Sequence, residues 1–580
     1  MKTRILFFAI LGVCILIMAY GLIVKSNTRK NPITSQSVSS MKIIPPGQVH
    51  ITIASSSTKK EWLNHIIEKF NHEGKKTASG KTITVSATYV TSGGSMKDIL
   101  AGTFKPEVWS PGDQSWVGQI NNAWRLKTKK PLISGECPST IYAPVGFAMW
   151  RPMAEALGWP NTPIGWNTIV TLAADPQGWA SYNHPEWGRF RFGHTHPAYS
   201  NSGLLSMISF VAGIIGSNTS LTAQNVYKPE VEKAMRILEQ NTSKYGYQSS
   251  ALFELMASEG PGYLHAIAAS EETTLRYNSK YSDALRYPLA FIFPSGGTIW
   301  ADHPYCILDN AEWVSDDQEE AATLFRNYLL SPDQQELAID YRLRPLDPSI
   351  YLHAPLDLAH GTDPRITPDI VPPLPSPDED VGAAVIDLFK ITKRKATVII
   401  ALDISGSMKG EKIKKATDAT VEFLSRLDPE DKVAVLTFSD RVSELCKPHY
   451  VHTVVEDLSQ RIRNLPADGA TALYDGICKA VELTEELKTE DEAADESRLY
   501  GIILLSDGDD TKGQPSAMQM FTMCLPSHAE ADGFKIFPIA FGAKANKDLL
   551  LRIASVTGGR MFKAEPESIS DVYFSISAEQ

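Results

Sequence analysis

Residues 396–403 read ATVIIALD, an unbroken apolar run of strand-forming residues that ends on an acid. A strand with no polar alternation is buried on both faces, as in a parallel sheet covered by helices on each side. The sequence that follows keeps to that plan. Helical pattern over 411–427 gives way to a strand at 432–439, a helix at 473–487 and a strand at 500–505. A strand at 534–541 and a helix at 547–556 close the segment. Such alternation predicts a doubly wound α/β sheet. Ligand sites in these sheets open at the carboxyl ends of the strands, and three polar clusters fall there. They are Asp403-Ile404-Ser405-Gly406-Ser407, Asp468-Gly469-Ala470-Thr471 and Ser506-Asp507-Gly508-Asp509-Asp510-Thr511.

Asp403, Ser405, Ser407, Thr471 and Asp507 offer two carboxylates and three hydroxyls, with no histidine or cysteine. An all-oxygen set of this charge suits a hard cation: Mg²⁺ fits best, and Ca²⁺ or Mn²⁺ also fit. The i,i+2 spacing of Ser405 and Ser407 lets both hydroxyls point inward from one turn, with Gly406 easing the bend. LDISGSM, GATALYDGI and LSDGDDT, in this order, resemble the three loops of the von Willebrand factor A (VWA) domain and its metal-ion-dependent adhesion site. The resemblance covers about residues 396–577. It implies a Rossmann-like fold and a metal that takes its last ligand from an acidic side chain of a protein partner. The implied role is adhesion or assembly, not catalysis. Cys478, in the helix after Thr471, reads as packing, because Mg²⁺ rejects sulfur.

Charge separates this piece from the rest. The chain has a formal net charge of −11, and residues 396–580 alone hold 31 acidic and 20 basic side chains. The whole excess therefore lies there, and nucleic acid is excluded as the main partner. The acid-rich run 482–496 reads as a solvated helix end and loop. All 11 tryptophans lie between Trp62 and Trp313, so the preceding segment is a different kind of domain.

That segment repeats one device three times, a strand followed by a Ser/Gly-rich turn that opens a helix. The turns are Ser55-Ser56-Ser57-Thr58, Thr91-Ser92-Gly93-Gly94-Ser95 and His196-Pro197-Ala198-Tyr199-Ser200-Asn201-Ser202-Gly203. Hydroxyls and free N–H groups at a helix start cap the helix and also cradle an anion or polar ligand. IASSSTKKEW, SGGSMKDILAGTFKPEVWSP, GHTHPAYSNSGLL, FPSGGTIWADHPYCILDNAEW and LLSPDQQELA follow the order seen in extracellular solute-binding proteins. The nearest branch resembles the sulfate, molybdate and ferric-iron binders. The resemblance spans residues 48–350 and implies a periplasmic-binding-protein fold of two α/β lobes, the first 48–143 plus 290–350 and the second 150–285. Strands at 142–150 and 286–293 would cross between them. Carried over by position, the cleft residues are Ser56, Ser57, Ser92, Gly94, Ser95, Ser200, Asn201 and Ser202, facing a small oxyanion or sugar. Trp109, Trp116, Trp166 and Trp187 pack the lobes or stack on a sugar. His194 and His196 read as solvated loop histidines or as metal contacts.

Six cysteines include Cys14 and five beyond it, an odd number that leaves at least one unpaired. With no C-x-x-C, structural zinc is not expected. The five read as small buried hydrophobes, although the implied lobe order puts Cys137 and Cys306 beside the two crossings on one lobe and allows a bridge.

Residues 5–24 are uncharged and apolar, with Lys2 and Arg4 before them and Lys25, Arg29 and Lys30 after. Twenty residues span about 30 Å as a helix, the thickness of a bilayer core. No A-x-A follows, so 1–25 reads as an uncleaved transmembrane anchor, the alternatives being a cleaved signal peptide or a lipoprotein signal at Cys14. Residues 26–47 form a polar stalk. Residues 351–395 hold a Pro-rich stretch, expected to be an extended spacer, and a short amphipathic helix, the alternative being a disordered linker.

The expected protein is a single-pass cell-membrane protein with its bulk outside the cytoplasm. It captures a protein partner through the metal site at 396–580, and the lobes sense a solute or add a second surface. The alternative is an ABC-type uptake receptor whose C-terminal domain docks it to a complex. An enzyme is not expected, because no G-x-S-x-G, H-E-x-x-H or paired-carboxylate constellation stands in a supporting context.

Overall fold

The computed structural model describes residues 47–577, apart from 199, 218, 247–248, 376, 378, 495, 497 and 526–532. The apolar segment 5–24 lies outside these residues. No helix among the described residues is long and apolar enough to cross a membrane.

Among the described residues three sheets organise the fold. The first has strand order Cys306–Ile307, Val108–Ser110, Gln48–Ser55, Thr82–Tyr89. Val49, Ile51 and Ile53 alternate inward, and helix Lys60–Glu73 lays Trp62, Leu63, Ile66, Ile67 and Phe70 over the same core. The second sheet runs Thr242–Gly246, Phe192–Thr195, Ala266–Ser270, Ala143–Trp150, Leu289–Ile292. All eight residues of Ala143–Trp150 are buried, since this strand lies between two neighbours and under helix Asn201–Ile215. These two sheets are the centres of two lobes. The second crossing expected at 286–293 sits later in the chain. Leu289–Ile292 completes the sheet of lobe two, and the chain returns through Trp300–Ala301, paired antiparallel with Pro144 and Ala143. A short apolar run reads the same whether it crosses or finishes a sheet.

The third sheet has order Val442–Tyr450, Lys432–Phe438, Lys395–Asp403, Arg498–Ser506, Lys535–Phe541, Phe562–Ala564, parallel except for its first edge strand. Along Lys395–Asp403, Val398, Ile400 and Leu402 pack toward helices Glu411–Leu424, Val451–Arg463 and Ile569–Ser577. Ile399 and Ala401 face helices Leu473–Ala493 and Lys547–Val556 on the other side. Each fully buried Ile or Leu here stabilises the sheet by about 1.5–3 kcal/mol. Because the chain winds in both directions from Lys395–Asp403, the switch point falls at Asp403. The acid-rich run is not wholly solvated: Asp491 is buried, where it accepts from Lys432 Nζ at 2.5 Å and Tyr500 Oη at 2.9 Å.

The segment expected to be a free spacer is docked instead. Leu356, Val371 and Leu374 are buried, Pro373 bridges to Thr298, and Gly361 accepts from Phe291 N at 2.7 Å. Helix Glu379–Thr392 buries Val381, Ala384, Val385, Leu388 and Phe389 in the core of lobe two. The stretch is not extended but folds through successive turns, with Leu356 N bonded to His353 O, Ile366 N to Asp363 O and Ile370 N to Thr367 O, and its interspersed Leu and Val are buried. Arg344 fastens the same region: its guanidinium donates to both oxygens of Glu271 at 2.7 and 2.8 Å, all of it buried.

Among the described residues two disulfides form, Cys137–Cys306 within lobe one and Cys478–Cys524 in the last domain, while Cys446 is free and buried. Cys478 therefore does more than fill space, tying helix Leu473–Ala493 to the segment that follows Asp507.

Candidate functional sites: an oxygen-donor cluster and an inter-lobe cleft

At the end of the central strand three loops hold one another. Ile404 O accepts from Asp468 N at 2.9 Å and Gly469 O from Gly406 N at 3.0 Å, joining the first loop to the second. Thr471 N donates to Thr511 Oγ1 at 2.8 Å, and Thr511 N donates back to Thr471 O at 2.9 Å, joining the second to the third. Ser407 Oγ donates to Asp507 Oδ1 at 2.7 Å and Ser506 Oγ to Asp403 Oδ2 at 2.8 Å, joining the third to the first. Ser405 Oγ and Ser407 Oγ stand 2.9 Å apart. The loops thus bring Asp403, Ser405, Ser407 and Asp507 together and hold the Thr471 backbone beside them, with Asp403, Ser405, Thr471 and Asp507 buried and Ser407 at the exposed rim.

The glycines serve close approach as much as turning. A Cβ on Gly406 would lie 3.2 Å from Gly469 O, which is why the first two loops can touch. Gly469 has φ +85°, and a Cβ there would meet Asp440 Oδ2 at 2.4 Å. Asp440 in turn accepts from Ala470 N at 3.2 Å and pairs with Lys512 at 3.0 Å, holding the second loop from outside.

Burial pushes the Asp403 carboxyl above its ordinary value; bonds from Ser405 and Ser506 oppose this, and the charge of Asp507 adds to it. Two buried carboxylates side by side are unfavourable unless a cation joins them. A ligand set of oxygens alone, with excess negative charge, fits a hard divalent ion. Sequence reasoning missed three supports: Ser506, Thr511 and Lys412, whose ammonium is ion-paired with Asp507 Oδ2.

A second site lies between the lobes. Ser56, Ser57, Ser92, Ser200, Asn201 and Ser202 line one cavity of about 160 Å³, with Ser249, Ser270, Thr273, Arg276 and His303. A hydroxyl ladder runs along one wall: Thr195 to Ser200 at 2.9 Å, Ser200 to Ser202 at 3.0 Å, Ser202 to Ser249 at 2.9 Å. Helices Ser92–Ala101, Asn201–Ile215 and Glu271–Lys280 begin here, capped by Thr91, Ser200 and Ser270. Arg276 is held by Glu272 at 2.8 Å.

Two predicted residues fall elsewhere. Ser95 turns inward, accepting from Trp109 Nε1 at 3.0 Å and donating to Thr91 O at 2.9 Å. Gly94 lines a separate cavity of about 320 Å³ with Trp116, Pro197 and Ile386. In helix Ser92–Ala101 only Ser92 stands at the cleft; one turn on, Ser95 faces the core. Trp109 and Trp166 are core residues, and Trp187 stacks on His184 at 3.8 Å. His194 and His196 are not solvated: His194 pairs with buried Glu239 at 3.1 Å, and both rings pack on Phe389.

Beneath the cleft, Lys59 is fully buried, donating to Ser110 Oγ at 2.5 Å. Burial lowers its ammonium to about 7 against the pull of Asp302, and burial with the Asp302 charge raises Asp113 to about 6.

Two family models match the chain. One described as a bacterial extracellular solute-binding protein covers residues 51–341, and one described as a von Willebrand factor type A domain covers 397–573. Among curated proteins, inter-alpha-trypsin inhibitor heavy chain H4 of Bos taurus is 30% identical over 165 residues, 28% of this chain and 18% of its own length. Its Homo sapiens counterpart is 27% identical over 185 residues, 31% and 19% respectively. The chain thus spans less than a fifth of the length of these relatives. Among solved structures, the sulfate-binding protein SubI of Mycobacterium tuberculosis aligns at 15% identity and TM-score 0.36, over 52% of this chain and 89% of that one. A von Willebrand factor type A protein of Catenulispora acidiphila aligns at 18% identity and TM-score 0.27, over 32% and 42%.

Proposed function

The chain belongs to the bacterial extracellular solute-binding proteins and carries a von Willebrand factor type A domain behind that region, and we propose that it captures a protein partner outside the cytoplasm through a divalent cation. Asp403, Ser405, Ser407, Thr471 and Asp507 would hold the ion, Mg²⁺ by preference, and when bound it would accept an acidic side chain of the partner. One observation supports the reading: the three loops hydrogen-bond to one another, linking Ser405 to Ser407 and Ser407 to Asp507, with Ser506 on Asp403 and the Thr471 backbone on Thr511. Residues 5–24 anchor the protein in the membrane with the rest outside, and two disulfides agree with an oxidising compartment. The test is capture of surface proteins by the full chain in Mg²⁺, with Asp403→Ala beside it. Capture lost in EDTA and in the variant supports the reading; capture that persists in EDTA overturns it.

The cleft favours a second reading, a receptor that hands a small oxyanion to a permease. Its support is the convergence of six expected polar residues with Ser249, Ser270, Thr273 and Arg276 on one cavity. Calorimetric titration of the full chain with sulfate, molybdate, phosphate and simple sugars decides it: heat for none of them removes this reading.

A further inference from the structure

We infer that Lys412 is the built-in counter-cation of the adhesion site, occupying Asp507 while no divalent ion is present and releasing it when one enters. The inference rests on the metal reading above. Lys412 lies in the first turn of helix Glu411–Leu424, and its ammonium is ion-paired with Asp507 Oδ2. The Asp507 side chain is fully buried, and its other oxygen already accepts Ser407 Oγ at 2.7 Å. Among the described residues Lys412 is the only cation ion-paired to either Asp403 or Asp507. The neighbouring lysines are engaged further out, Lys409 with exposed Asp468 and Lys512 with exposed Asp440.

A buried carboxylate without a positive partner is strongly unfavourable, so the ligand-free site needs this ammonium. A divalent ion held by Ser405, Ser407 and Asp507 brings two positive charges to the same oxygens, and the lysine and the ion repel at that range. Lys412 is the group able to leave. Its side chain is 30% exposed and carries a flexible four-carbon stem that reaches solvent. Ion entry is therefore an exchange of one cation for another, and the affinity measured includes the cost of expelling the first.

The signature has two opposite signs. In Lys412→Met and Lys412→Gln, Mn²⁺ read by electron paramagnetic resonance should bind the full chain about tenfold tighter than wild type. The same variants in EDTA should melt several degrees lower. A merely structural lysine would lower both. Equal or weaker Mn²⁺ binding by a variant with wild-type circular dichroism overturns the inference. Absence of Mn²⁺ binding by wild type overturns the metal reading itself. A measurement on wild type needs no variant to fold: acylation footprinting with and without Mg²⁺. Labelling of Lys412 should rise several-fold in Mg²⁺ while that of Lys409 stays level, and unchanged labelling of Lys412 overturns the inference.

Discussion

Trp116 of the first lobe donates its indole N–H to Asn201 Oδ1 of the second at 2.6 Å, so the lobes meet across the cleft through a side chain on each. Gly112 lies against the same amide, where a Cβ would come within 2.5 Å of Asn201 Nδ2. The described conformation is therefore a closed one. Trp116→Phe keeps the ring and removes the donor, at a cost of about 1 kcal/mol. Small-angle scattering or a fluorescence pair across the lobes should show a population shift of roughly fivefold toward the open form. An unchanged profile would mean that other contacts hold the lobes shut.

Arg344→Ala should be among the most damaging substitutions in the chain. It leaves the Glu271 carboxylate buried without its bidentate partner, and breaking such a pair costs about 3–5 kcal/mol. Arg344 also donates to Ile366 O at 2.6 Å, so the loss reaches the docked segment behind the lobes. Denaturant unfolding checks the magnitude, and Arg344→Met should be milder if Glu271 is simultaneously made Gln.

Gly469→Ala is expected to cost about 1–3 kcal/mol, the range for forcing a side chain into a left-handed backbone. Its methyl would also collide with Asp440, the residue that holds the second loop. Mn²⁺ affinity should fall with stability. Gly406→Ala, with no positive φ and a 3.2 Å approach, should lose less.

Removing the Cys478–Cys524 bridge frees a loop closed over a sequence separation of 46 residues, worth roughly 4 kcal/mol by the chain-entropy relation. The third site loop lies within that span. Cys478→Ser/Cys524→Ser should lower the melting temperature of the last domain and weaken divalent binding. Unaltered binding would show that the loop contacts to Thr471 and Asp403 suffice.

His194 supplies a pH dependence. Burial lowers its imidazolium, but the charge of Glu239 and the bonds to Glu239 and Thr195 outweigh this, leaving the folded value above 6.5. A raised value stabilises fully below the unfolded value and fades as pH climbs through the folded one. Melting of the full chain across about pH 6–9 should include a falling component that is absent from Glu239→Gln. Parallel profiles for the two proteins would remove His194 as its source.

The oxygen-donor loops were legible because their chemistry sits in three short contiguous stretches, each just after a strand. Lys412 was not, since it stands in the run 409–415 with three other lysines, where any one looks solvated. The serines of the cleft were readable as helix starts, but Ser249, Ser270 and Thr273, which also sit at the starts of two helices, carry no glycine-rich signature around them. His194 was misjudged for a related reason: its partners, Glu239 and Tyr245, lie about 45 and 51 residues away and only the sheet brings them together. The amphipathic pattern of helix Glu379–Thr392 was visible, while the groove that receives it was not.

That helix also sets a timetable for synthesis. Lobe two cannot close its core until Phe389 has left the ribosome, about a hundred residues after its last strand, Leu289–Ile292. At 5–20 residues per second this is a wait of roughly 5–20 s, during which an apolar groove stands open on the nascent chain. An expression fragment ending at residue 350 would keep that groove open permanently.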